Sequence, residues 1–248
     1  MSATEVADRV YRVDHAHVSC YLVVDDDGSV LIVDAGLPAV WPHLGRALRQ
    51  VGSTPGDVAA MVLTHAHFDH IGTAARAQRE LGIPVWAHED DFFIAAHPYR
   101  YLHESPRLRY PLRHLRTVPV LAAMTKAGAL AVPGVRDLLP VVPYERLPVP
   151  GNPVVVPTPG HTMGHVALHL PDRDVLLSGD ALVTLDPYTG GHGPQIVAGA
   201  ATADSDQALR SLDALAATGA TIVLPGHGEP WTRGIESAVS AARAVGPH

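Results

Sequence analysis

The feature that most constrains this chain is a run of six residues, His65-Ala66-His67-Phe68-Asp69-His70, directly behind the apolar stretch Ala59 to Thr64. A short apolar run of that kind reads as a buried strand, so four potential metal ligands stand where a strand leaves the core. In an extended segment, alternate side chains share a side, which puts His65 and His67 together. The bend at Asp69-His70 turns a carboxylate and a third imidazole toward a second point. One loop can therefore serve two metals, and imidazole with carboxylate suits zinc, iron or manganese.

Three further ligand types end or follow strands in the second half. They are His161 in Thr158-Pro159-Gly160-His161-Thr162, Asp180 in Leu177-Ser178-Gly179-Asp180-Ala181, and His227 in Leu224-Pro225-Gly226-His227-Gly228. Glycine beside each lets backbone approach a crowded centre, and strand ends are where α/β proteins place their sites. One such match alone would be weak; the ordered set carries the argument. Of the 16 histidines, His15, His17, His43, His88, His97, His103, His114, His169 and His248 show no ligand pattern and are expected to be ordinary surface or core residues. His192, in Gly190-Gly191-His192-Gly193-Pro194, reads as part of a flexible loop, with a structural role favoured over substrate contact.

The rest of the chain alternates strands with helices. Strands are expected at 9–14, 18–25, 29–34, 59–64, 84–87, 153–157, 165–170, 174–178 and 221–224, the second and third joined by the turn signal Asp27-Gly28. Val40, Leu44, Ala47, Leu48 and Val51 recur at helical spacing. Helices are also expected at 71–81, ended by Gly82, at 204–217 and at 231–244, with a helical segment at 89–96. This is an α/β pattern whose sheets need helices outside them.

With 248 residues the chain reads as a single domain, 1–248, and 47% hydrophobic residues suffice for one core. The stretch 97–142 breaks the rhythm and reads as a largely helical insertion, with a helix from Leu112 to Lys126. It holds seven basic residues (Arg100, Arg107, Arg109, Arg113, Arg116, Lys126, Arg136) against two acids in a chain of net charge −7. An amphipathic hairpin with arginines reaching to solvent is the favoured reading. The sharper one is a lid whose Arg107, Arg109 and Arg113 receive an anionic group of the substrate.

Net charge −7 argues against nucleic acid as a partner and leaves a small-molecule substrate. The polar Met1–Val10 has no apolar signal region and no later run suits a membrane span, so the expected location is the cytoplasm. A homodimer is compatible with the sequence. The single cysteine, Cys20, lies in the apolar stretch Val18–Val24 and is expected to be a small buried hydrophobe.

THAHFDH at 64–70, TPGHT at 158–162, SGDAL at 178–182 and PGHG at 225–228, preceded by LIVDAG at 31–36, resemble in order the motifs of the metallo-β-lactamase superfamily, and within it the glyoxalase II and lactonase-like branch. The resemblance covers most of the chain outside 97–142. It implies a four-layer αββα sandwich with the site at one edge of the paired sheets. It also implies His65, His67 and His161 on one metal, Asp69, His70 and His227 on a second, Asp180 bridging both, and Asp34 orienting a ligand histidine. The cofactors implied are two divalent ions, zinc first, with iron or manganese as alternatives.

Chemistry follows as an expectation. A water shared by two cations about 3.5–4 Å apart ionises near neutral pH and attacks an ester, thioester or lactone carbonyl that one metal polarises. Asp180 holds the pair, and Asp69 can pass a proton to the leaving group. Departures narrow the choice. Asp180 stands where several zinc β-lactamases have cysteine, which speaks against antibiotic hydrolysis. His67 is not the glutamate of flavodiiron reductases. Only 21 residues follow His227, too few for the helical domain with which glyoxalase II holds glutathione. Val183 replaces a tyrosine of some acyl-homoserine lactonases. Two other classes share the ligands: a mononuclear iron persulfide dioxygenase, marked by one iron and oxygen uptake, and a non-catalytic metal-binding module, marked by retained metal without hydrolysis.

Overall fold

Apolar side chains alternate along neighbouring strands, and that parity decides the layering. The structure, a computed structural model, describes residues 3–107 and 109–248. Met1 and Ser2 of the polar terminus and Leu108 of the 97–142 segment lie outside the described residues.

Strands β1 (Thr4–Ala7), β2 (Val10–His15), β3 (Val18–Val24) and β4 (Val30–Val33) run antiparallel in chain order. Helix α1 (Trp41–Gln50) crosses to β5 (Val58–Val62), parallel to β4, and α2 (Ala74–Leu81) crosses to β6 (Val85–Ala87). The short helices α3 (Phe92–Ala96) and α4 (Arg109–Arg113), then α5 (Val118–Lys126), lead to β7 (Leu139–Pro140) at the far edge. Next come β8 (Val154–Pro157), β9 (Val166–Leu170) and β10 (Val175–Gly179), then the paired β11 (Val183–Leu185) and β12 (His192–Gln195). Helix α6 (Ser205–Ala216), β13 (Ile222–Pro225) and α7 (Ile235–Val245) complete the chain. Two main sheets result: seven strands in the order β1 to β7, and four in the order β13-β10-β9-β8.

Tyr21, Val23, Leu31, Val33, Ala60 and Val62 of the first sheet meet Val155, Val166, Leu168, Val175, Leu177 and Leu224 of the second in one buried layer. The alternate residues Cys20, Leu22, Ile32 and Met61 face outward onto Leu44, Ala47 and Leu48 of α1 and Ala74 and Ala77 of α2. On the opposite side Ala167, Leu176 and Val223 pack on Leu212 and Leu215 of α6 and Ala238 and Val239 of α7. These are the four layers of an αββα sandwich. Leu22 is fully buried, so truncating it to Ala would cost about 2–5 kcal/mol. Cys20 is free and buried, as expected. Among the described residues, no helix is long and apolar enough to cross a membrane.

Several expectations are corrected. The helix 112–126 is broken into α4, a 3₁₀ turn at Leu115–Thr117, and α5. Pro119 sits in the first turn of α5, where its missing N–H is harmless, whereas inside one continuous helix it would remove a bond. The last helix begins at Ile235 rather than at 231, because Trp231 bridges Val223 and Gly234 has φ +81°. Helix α2 starts at Ala74 because Gly72 and Thr73 donate to the carbonyls of Gly36 and Ala35 at the exit of β4. His192 stands not on a loop but on β12, exposed and opposite Leu185. Within 97–142, Val120, Met124, Val132 and Val135 share the core of α1 and α2.

Candidate metal centre

The exits of β4 and β5 lie side by side and are locked to each other. Asp34 adopts φ 61°, a left-handed conformation rare outside glycine that costs about 1–3 kcal/mol where the surroundings hold it. The turn aims its carboxylate across the gap. Asp34 accepts from Thr64 N at 2.7 Å, from Thr64 Oγ1 at 2.9 Å and from His70 Nδ1 at 3.0 Å. Ala35 N donates to His70 O at 2.7 Å. The loop 63–73 is thereby folded back so that its ligand residues face the second sheet.

All seven residues singled out above come together, and every one of them is buried. His65, His67 and His161 form one group, Asp69, His70 and His227 another, and Asp180 joins His65 and His70 in a third; ligand atoms within each group lie within 4.8 Å of one another. Asp180 Oδ2 is 3.4 Å from His161 Nε2 and 3.2 Å from His227 Nε2, while Oδ1 is 3.5 Å from His70 Nε2. One carboxylate thus touches both trios. Asp69 Oδ2 is 3.3 Å from His227 Nε2. Gly226 makes room: a Cβ there would overlap Asp180 Oδ1 and stand 2.7 Å from His70 Cε1.

Hydrogen-bond partners fix which ring nitrogen carries the proton. His70 Nδ1 donates to Asp34 Oδ2, and His227 Nδ1 donates to the carbonyl of His17 at 2.7 Å. Thr202 Oγ1 already donates to Val197 O at 2.6 Å, so it accepts from His161 Nδ1 at 3.2 Å. Thr64 Oγ1 donates to Asp34 and so accepts from His65 Nδ1 at 3.1 Å. In the neutral form of these four rings the lone pair therefore sits on Nε2. The Nε2 atoms of His65, His67, His70, His161 and His227, and Asp180 Oδ1, are buried without a hydrogen-bond partner. Buried polar atoms are ordinarily paired, and leaving one unpaired costs about 1–3 kcal/mol. Six such atoms gathered in one buried cluster fit a metal centre, whose cations would satisfy them.

The charge balance points the same way. Burial and the neighbouring imidazoles hold His65 well below the usual histidine range, and burial takes His161 down to about 3 against the pull of Asp180. Burial also opposes charge on His70, yet Asp180 and Asp34 raise it to about 9. His227 is likewise pushed well up by Asp180 and Asp69. The two carboxylates, held well down (Asp180) and down (Asp69) by these histidines despite burial, demand positive charge that a cation can supply in place of protons.

Several contributors escaped the sequence reading, Thr202 behind His161 among them. Asp91, fully buried, accepts from Ala66 N at 2.8 Å, Thr162 Oγ1 at 2.8 Å and Gly164 N at 2.9 Å, tying the His65–His67 loop to the His161 loop. His165 accepts from Asp180 N at 3.0 Å through Nε2, with Nδ1 2.7 Å from Thr158 Oγ1. Burial brings its pKa down to about 3, so it stays neutral and positions Asp180. Its spacing, four residues after His161 in one glycine-bearing loop, was the available signal. His17 acts through its carbonyl, presented by a turn in which Ala16 and His17 have φ 54° and 66°. The other histidines are unremarkable: His88 accepts from Asp90 N, His97 and His103 bond backbone carbonyls, and His15 packs on His43.

The segment after His97 reaches the site through Arg100, Tyr101 and Leu102, which line a cavity beside His161. The Tyr101 ring lies 4.0 Å from that of His67, and the Arg107 guanidinium stacks 4.1 Å over Tyr101. Arg109 and Arg113 part from it and line a separate cavity of about 250 Å³ with His114 and His248. The three arginines therefore do not converge on one anion, and of the three only Arg107, through Tyr101, stands near the site.

The family model described as "Metallo-beta-lactamase superfamily" matches residues 13–227. A "Probable metallo-hydrolase YflN" of Bacillus subtilis is 27% identical over 228 residues, covering 82% of this chain and 77% of the relative. The hydroxyacylglutathione hydrolase GloC of Haemophilus influenzae is 24% identical over 181 residues, covering 71% and 69%. The crystal structure of TTHA1623 in a di-iron-bound form superposes with TM-score 0.61 at 28% identity, covering 91% of this chain and 95% of that one. With the fold, the ordered motifs and this match over most of its length, the chain belongs to the metallo-β-lactamase superfamily.

Proposed function

We propose that this protein is a hydrolase that holds two divalent cations and cleaves an ester, thioester or lactone bond of a small molecule. The observation that carries the reading is the convergence of five unpartnered Nε2 atoms and Asp180 Oδ1 in one buried cluster. His65, His67 and His161 would hold one cation, Asp69, His70 and His227 the other, and Asp180 both. When bound, such a pair supplies an activated water and a Lewis acid for the carbonyl. Zinc suits the donors best, while the di-iron relative supports two ions and keeps iron open.

The chain's own groups do the positioning. Asp34, Thr202, Thr64 and the His17 carbonyl hold the imidazoles with Nε2 inward, and His165 with the Asp180 N–H fixes the shared carboxylate. Asp69, at 6% exposure against 3% for Asp180, is the more open carboxylate and the better placed to pass a proton to a leaving group. The thioester option draws support from the hydroxyacylglutathione hydrolase relative.

The test is metal analysis of protein purified without added metal, followed by a panel of lactones, thioesters, aryl esters and phosphodiesters. Close to two transition-metal ions per chain and turnover of a carbonyl ester are expected. A stoichiometry fixed at one under metal excess would remove the paired site, and retained metal with no hydrolysis across the panel would remove the activity.

A further inference from the structure

A second feature of the centre concerns what it acts on. A cavity of about 250 Å³ opens beside the cluster, with His161 and Thr162 in its wall. The rest of that wall is made by Phe93, Ile94, Tyr101, Leu102, Met163 and Ala203, with Asp90 and Arg100 also lining it. Phe93, Leu102 and Met163 are exposed to 57%, 71% and 41%. Single exposed apolar residues are ordinary, but three of them around one concave wall mark a binding surface. Since that wall includes His161 and also Tyr101, whose ring lies 4.0 Å from that of His67, an occupant of the cavity lies beside the ligand residues.

The lining also decides the chemistry of the occupant. One acid and one base offset each other, so the cavity presents no net charge to select a charged arm. Arg109 and Arg113, the cations that would favour one, face a different cavity. At roughly 30 Å³ for a group the size of water or methylene, the volume takes on the order of eight such groups. We infer that the substrate is an ester, thioester or lactone carrying a medium-length, uncharged aliphatic chain, which lies in this cavity against Phe93, Leu102 and Met163. This rests on the hydrolase reading above, and adds to it the substrate class and the residues that select it.

The experiment has two arms on the protein as purified with its metals. In the first, kcat/KM is measured for straight-chain aryl esters from acetate to decanoate. A buried methylene contributes about 0.8 kcal/mol, close to four-fold in kcat/KM. The expected result is a rise of about two- to four-fold per methylene, because the cavity is partly open, and then a plateau near eight carbons. In the second, binding of straight-chain carboxylates from butyrate to decanoate is followed by calorimetry, where the constant head group leaves the slope to the chain. Leu102→Asp and Met163→Glu, both at exposed positions that tolerate polar side chains, should flatten both slopes while metal content is unchanged. Leu112→Asp, at a position 82% exposed and outside this cavity, should leave both slopes intact. Flat slopes in the wild type with measurable acetate hydrolysis would overturn the chain-binding inference and leave the hydrolase reading standing. No hydrolysis of any ester with a normal binding slope would do the reverse.

Discussion

Replacing Asp91 by Asn tests whether one buried carboxylate holds the first ligand group together. Its Oδ2 accepts from Ala66 N and Thr162 Oγ1, and its Oδ1 from Gly164 N. An Asn can keep its oxygen on the first pair only by turning its NH₂ toward the Gly164 N–H, a donor facing a donor. Relaxation is restricted, since a Cβ on Gly164 would already lie 2.7 Å from Asp91 Oδ1. The change removes a hydrogen bond to a charged group, about 1.5–3 kcal/mol, and leaves a buried N–H unpaired, about 1–3 kcal/mol. Part of this is offset because burial disfavours the charged carboxylate, whose pKa it raises. A net loss of about 3 kcal/mol lowers Tm by roughly 6–12 °C in a chain of this size. Calorimetric melts of the metal-loaded protein measure it, with the exposed Glu89→Gln as a control expected to melt like wild type. Chelator titration should show one of the two ions leaving more readily, because Asp91 braces the loops of His65, His67 and His161. An Asp91→Asn protein that melts within about 2 °C of wild type and keeps both ions equally tightly would refute the bracing role.

Asp180→Ala removes the carboxylate shared by both trios and is expected to lower occupancy at both sites and abolish hydrolysis without unfolding the chain; wild-type turnover would exclude a shared ligand. Gly226→Ala changes no ligand but drives a methyl into Asp180 and His70, so metal content should fall well below that of wild type while the circular dichroism spectrum is retained. A chelator should lower Tm, because an ion at a thousand times its Kd contributes about 4 kcal/mol, or roughly 8–16 °C per site. An unchanged melt would show that the cluster does not hold metal.

The α/β alternation and the seven ligand-type residues were legible from local pattern, apolar runs punctuated by turns and glycine-flanked ligands at strand exits. The four layers and the grouping of the ligands came instead from the family resemblance. What escaped was non-local. Asp90 and Asp91 look alike beside each other in the sequence, yet one is exposed and the other fully buried between two loops, a distinction only the packing makes. His17 contributes a backbone carbonyl, which residue identity does not advertise. β7 is two residues, one of them Pro140, and carries no periodicity to read. The broken helix at 109–126 turned on Pro119, visible in the sequence but outweighed by the apolar repeat around it. Arg107 and Arg109 sit two apart in sequence, yet one stacks on Tyr101 and the other lines a separate cavity, which charge counting cannot foresee.

Each ligand group draws from both halves of the chain: His65 and His67 with His161, Asp69 and His70 with His227, and His65 and His70 with Asp180. The first members leave the seven-stranded sheet and the second members leave the four-stranded one. Neither half contains a whole site, so an ion bound here would add a fastening between two sheets already joined by their apolar layer and by hydrogen bonds such as Val166 N to Thr64 O and Ser19 N to Gly226 O. Opening that seam exposes the apolar layer between the sheets and releases the ions in one event. Amide protons of β4, β5, β9 and β10 should therefore exchange through a single metal-dependent opening, while those on the outer faces of α1 and α7 exchange by local fraying that the metal does not influence.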